Sequence, residues 1–71
     1  MTPSAFCTAL SRLGLTVRAA AAWYGTNKMT IGRWRDSGPT PPAARLTRLA
    51  LALLERGWSR AEIDALLSSP E

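Results

Sequence analysis

In the segment Lys28 to Arg35, Ile31 and Trp34 are three residues apart, the spacing of two apolar anchors on one side of a helix. With those two facing inward, a 3.6-residue period puts Met29, Gly32, Arg33 and Asp36 on the outward side and Lys28 on its flank. The chemistry of that side is hydrogen-bond donation and apolar contact. An arginine fork matches two acceptors on a guanine edge, a lysine reaches a guanine acceptor or a phosphate, and a methionine suits a thymine methyl. Asn27 and Thr30, with short polar side chains at the start of the segment, suit phosphate oxygens better than bases. Trp34 has an alternative as a nucleic-acid stacking residue, but its inward phase favours the core. Gly32 costs about 1 kcal/mol of helix stability against alanine. Either it is merely tolerated, or the bare backbone allows a close approach to bases.

Other chemistries are excluded by residue type. The chain of 71 residues has no histidine, one cysteine and five carboxylates. No nucleophile, base and orienting set can be assembled from these, so no enzymatic activity is expected. Zinc sets and disulfide frameworks go with them, and neither a metal, a cofactor nor a small-molecule ligand is evident. Cys7 lies in an apolar segment and reads as a small buried hydrophobe. The nine basic residues give a net charge of +4, which favours an anionic partner. Their placement is uneven. Residues 1 to 54 carry Arg12, Arg18, Lys28, Arg33, Arg35, Arg45 and Arg48 against Asp36 alone, a net +6, whereas residues 55 to 71 sum to −2. A basic body with an acidic end suits a body turned toward phosphates and a tail turned away. The N-terminus lacks the pattern of a signal peptide, and the longest apolar run, Leu49 to Leu54, is far short of a membrane span. The expected compartment is a reducing cytoplasm.

The outward side needs a platform, and the preceding residues supply it. Gly25 separates the alanine-rich segment Arg18 to Tyr24 from the segment beginning at Lys28. A glycine there takes a left-handed conformation at little cost and ends one helix. Thr26 and Asn27 are good N-cap types for the next. Ala20, Ala21 and Tyr24 form the apolar face of the first helix, and small alanines at the crossing let the two axes approach closely. Trp23, beside Tyr24, is either core or part of an exposed patch.

These residues resemble the helix-turn-helix of the phage repressor, Cro and XRE type, in the lambda-repressor-like domains. The match rests on Thr16 opening the first helix, Ala21 at the crossing, Gly25 at the turn, Asn27 as cap, and Ile31 and Trp34 as anchors. It continues through Arg33-Trp34, Asp36-Ser37-Gly38, Pro39 and Pro41-Pro42-Ala43-Ala44 into a leucine-rich helix, from roughly Leu10 to Leu54. Two positions depart from the pattern: Val17 stands where a polar residue is usual, and Gly32 where a side chain is usual.

The resemblance implies an all-α fold, with double-stranded DNA as partner and Lys28, Met29 and Arg33 as base contacts. It places the start of the first helix of the motif against the DNA backbone, where free N–H groups favour phosphate. Thr16 and Arg18 are the candidates there, Arg18 supplying the contact that Val17 cannot or else being simply solvated. It also runs the connector after Asp36 and the first turn of the next helix along the backbone, making Arg35, Thr40 and Arg45 phosphate candidates beside Asn27 and Thr30. Arg48 belongs to the same patch or is solvated. Small stand-alone members often regulate their own operon, including phage repressors, antitoxins and anti-CRISPR-associated regulators; this chain resembles the last in size and in lacking a ligand domain.

The flanking segments complete a compact bundle of about five helices in one domain over residues 1–71. Ser4 after Pro3 caps a first helix running to Leu13, with Phe6, Leu10 and Leu13 as core and Gly14 as its stop. SGPTPP at Ser37 to Pro42 is the connector into the longest helix, Ala43 to Arg56, with Leu46, Leu49, Ala50, Leu53 and Leu54 on one stripe and Gly57 as end signal. Ser59 to Glu62 forms a capping box that opens a last helix running to about Leu67, ahead of Pro70. Its residues Ile63, Leu66 and Leu67, with Trp58, give more apolar surface than one small core needs. Residues 58–71 are therefore expected either to form the interface of a homodimer on a palindromic operator or to fold back on their own domain. The expected function is that of a sequence-specific transcriptional repressor. The alternative is a protein-interaction module, antitoxin-like, that docks a partner through the C-terminal helix.

Overall fold

A computed structural model describes residues 1–68 and is all-α. Five helices follow in chain order: α1 Pro3–Leu13, α2 Val17–Tyr24, α3 Lys28–Ser37, α4 Pro41–Glu55 and α5 Arg60–Ser68. Pro70, expected to bound α5, lies outside the described residues, as does Glu71. No helix among the described residues is long and apolar enough to cross a membrane.

Helix boundaries follow local capping chemistry. Thr2, not Ser4, caps α1: its Oγ1 accepts from Ala5 N at 3.1 Å. Pro3 is the reason, since it lacks an N–H and its fixed φ suits the first helical position, so the helix is already under way at Ser4. Thr16 caps α2 through Ala19 N at 3.1 Å, and Asn27 caps α3 through Thr30 N at 2.9 Å. Between them Gly25 takes φ 72°, and Thr26 N donates to Ala21 O at 2.8 Å. That bond closes the end of α2 and leaves a short turn into α3. At α5, Ser59 Oγ accepts from Glu62 N at 3.2 Å while Glu62 Oε1 accepts from Ser59 N at 3.1 Å, the reciprocal box its sequence encodes.

The shared core contains Phe6, Leu10, Leu13, Leu15, Ala20, Ala21, Ile31, Ala50 and Ile63. Phe6 and Ile31 are fully buried. Around Phe6 stand Tyr24 and Trp34, each ring centroid 5.9 Å from it, and Tyr24 meets Trp34 edge-on at 5.4 Å. Such contacts add roughly 0.5–1.5 kcal/mol each beyond the area they bury. The aromatic cluster draws on α1, α2 and α3 and fixes their mutual angles.

The leucine stripe expected on α4 is displaced. The buried residues are Ala43, Ala44, Thr47 and Ala50, whereas Leu49 is 56% exposed and Leu46, Leu53 and Leu54 are half-buried. The inward face is the one with small side chains, because α4 lies close against Tyr24 and α1, and branched leucines would not fit the gap. Thr47 is fully buried and satisfied: its hydroxyl donates to Ala43 O at 2.7 Å and accepts from the Tyr24 hydroxyl. Burial pushes the Tyr24 phenol above its ordinary pKa.

Candidate nucleic-acid interface

Ile31 at 0% exposure and half-buried Trp34 set the phase of α3 as their spacing requires. Lys28, Arg33 and Asp36 are exposed, and Met29 is 76% exposed. A methionine left that open gains nothing from the fold. Gly32 lies between these residues, half-buried, with open space where its side chain would be.

The N-termini of α2 and α3 add backbone donors. In each, the first N–H groups have no partner within the helix and point outward: those of Val17 and Arg18 on α2, and of Lys28 and Met29 on α3. Thr16 and Asn27 use an oxygen to cap, so the Thr16 hydroxyl hydrogen and the Asn27 amide hydrogens stay free to donate. Thr40 precedes α4 and makes no side-chain cap bond. Pro41 and Pro42 follow it and supply no N–H, so the anion-holding capacity of that helix start falls on the Thr40 hydroxyl and on Arg45. Thr16, Arg18, Asn27, Arg35, Thr40 and Arg45 are all exposed, and Thr30 is half-buried.

Ion pairing separates two populations of cations. Arg12 pairs with Glu55 at 3.6 Å and Arg60 with Asp64 at 3.5 Å. Among the described residues, Arg18, Lys28, Arg33, Arg35, Arg45 and Arg48 form no ion pair. The paired arginines thus lie on α1 and α5, whereas the unpaired cations run from α2 through the middle of α4, with Arg56 at the end of α4 also unpaired among the described residues.

Two surface hollows meet at Arg35. One, of about 260 Å³, is lined by Cys7, Leu10, Ser11, Leu15, Thr16, Val17 and Arg35; the other, of about 360 Å³, by Cys7, Gly32, Arg35 and Asp36. Thr16 and Arg35, assigned separately from sequence, therefore share a wall. Cys7 is half-buried on the rim of both hollows, with Sγ 4.0 Å from Arg35 O, rather than enclosed in the core. Its place beside α3, together with Ser11, carries no sequence signal, because α1 reads only as a core helix.

The C-terminal residues divide. Ile63, expected at the homodimer interface, is 1% exposed and packs into the protein's own core, so it is consumed within the fold. Its place is set by the docking of α5 onto α4 and the shared core, which encloses Ile63 and leaves Leu66, one turn further along the helix, exposed. Trp58, Leu66 and Leu67 are 37%, 56% and 45% exposed and remain available, as does Leu49. Trp23 resolves as half-buried, its ring against Tyr24 and its Nε1 donating to Asp64.

Comparison with family models, with curated proteins and with solved structures finds no match to this chain.

Proposed function

We propose that this protein is a sequence-specific double-stranded-DNA-binding transcriptional regulator, built around a helix-turn-helix of α2 and α3 and resembling the phage-repressor, Cro and XRE type. The observation that carries the reading is the outward side of α3: Lys28, Met29 and Arg33 exposed together, with both cations free of ion pairs among the described residues. In this reading α3 enters the major groove. Arg33 takes the two acceptors of a guanine, Lys28 a neighbouring acceptor or phosphate, and Met29 a thymine methyl. Thr16, Arg18, Asn27, Thr30, Arg35, Thr40 and Arg45 hold the flanking phosphates and set the register. The regulator acts in the cytoplasm as an autoregulatory repressor of phage or anti-CRISPR-associated type.

It binds a palindromic operator as a homodimer through Trp58, Leu66 and Leu67. The protein measures 30 × 24 × 20 Å, so two copies fit side by side on half-sites about 34 Å apart. The same exposed residues favour, as a second reading, an interaction module in which the C-terminal helix docks a partner protein.

The test is a fluorescence-anisotropy titration of duplex DNA at several salt concentrations. Three phosphate-directed arginines per protomer, six in a dimer, give a slope of log affinity against log salt of about −5. Absence of binding at low salt contradicts the proposal.

A further inference from the structure

Four glycines, Gly14, Gly25, Gly38 and Gly57, have positive φ and are required by the backbone. Gly32 is not among them. It lies in the middle of α3 with helical geometry, where glycine weakens the helix relative to alanine. Packing does not require it either, since a Cβ built there meets no atom within 4 Å. Neither the conformation nor the interior of the protein accounts for the missing side chain. The position lies next to Arg33, one turn from Met29 and Asp36, and borders the hollow shared with Cys7 and Arg35.

From this we infer that Gly32 is a specificity-determining position, whose bare backbone lets the edge of a base pair approach α3 at a distance that any side chain would block. The inference rests on the DNA-binding reading and adds a contact made by absence: the groove supplies the atoms that the protein interior does not. α3 then seats deeper on its preferred sequence than on others, because only a well-placed base edge fills the space above Gly32.

The experiment compares the intact protein with Gly32→Ala by thermal unfolding and by titration against the duplex preferred by the wild type and against an unrelated duplex. Alanine is expected to raise the unfolding midpoint, to weaken the preferred duplex at least tenfold, and to leave the unrelated duplex within about twofold. Gly32→Ser is expected to lose the preferred duplex to a similar degree. Equal or tighter binding of the preferred duplex by Gly32→Ala overturns the inference, and so does a lowered unfolding midpoint, which would place the constraint inside the fold. If the wild type itself has no preferred duplex, the DNA-binding reading fails and this inference with it; wild-type preference with an indifferent alanine variant removes the inference alone.

Discussion

The indole Nε1 of Trp23 donates to the Asp64 carboxylate at 2.5 Å, joining α2 to α5 across 41 positions of sequence. The same carboxylate pairs with Arg60, and Arg60 Nη1 donates to the carbonyl of Gly14, just before α2, at 3.1 Å. α5 is thereby fastened near both ends of α2. A helix whose outer leucines face solvent is held to the unit that presents α3 by these polar bonds and the buried Ile63 side chain.

Asp64→Ala removes the acceptor from both Trp23 and Arg60. A hydrogen bond to a charged group is worth about 1.5–3 kcal/mol, and partial exposure of this one argues for the lower end. Unfolding followed by circular dichroism is expected to show a midpoint roughly 5–10 °C lower, at about 4–8 °C per kcal/mol for a domain of this size. An unchanged midpoint would show that α5 is held by Ile63 alone.

Tyr24→Phe isolates the buried phenol. Because the single hydrogen of the Thr47 hydroxyl goes to Ala43 O, Tyr24 is the donor in their bond. The folded protein holds the phenol proton more tightly than the unfolded chain does. That contribution is complete below about pH 10 and is lost as pH rises through the raised folded-state value. The wild type should exceed the phenylalanine variant by about 0.5–1.5 kcal/mol at neutral pH, and the gap should shrink above about pH 10. Denaturant titrations at the two pH values measure it; a gap that widens in alkali contradicts the assignment.

Arg33→Ala and Arg45→Ala separate reading from positioning. The first should weaken the preferred duplex by about 1–3 kcal/mol and relax discrimination at one base pair. The second should weaken all duplexes alike and reduce the salt slope by about 0.9 for each phosphate that is no longer neutralised. The reverse pattern would exchange their roles.

Leu66→Glu places a charge on the exposed side of α5 and should leave the fold intact while shifting sedimentation at tens of micromolar from dimer to monomer. Ile63→Ala should instead cost roughly 2–5 kcal/mol of stability, as a truncated core residue does. A wild type that is monomeric both free and on DNA would rule out the dimer.

The legible parts of the sequence were those where one residue decides the local geometry. Gly25 with Asn27 predicts the turn into α3, Ser59 with Glu62 predicts the start of α5, and Ile31 with Trp34 predicts which side of α3 faces out. Tertiary fit decided the rest. On α4 hydrophobicity points to the leucines, but the buried positions are Ala43, Ala44, Thr47 and Ala50, with Thr47 bonded to Tyr24, and Leu49 turns outward. Ile63 is as apolar as Leu66, and only the docking of α5 shows which of the two is buried. The hollows at Arg35 join residues of α1, the α1–α2 connection and α3, a juxtaposition that no periodicity encodes.

In vitro selection of the purified protein against randomised duplex DNA at two salt concentrations tests DNA reading by α3 most directly. The expected result is recovery of a palindrome, with half-sites about one helical turn apart and retained at the higher salt. Recovery of only weak, sequence-independent binding that disappears at the higher salt would contradict it and leave the exposed C-terminal leucines as the functional surface.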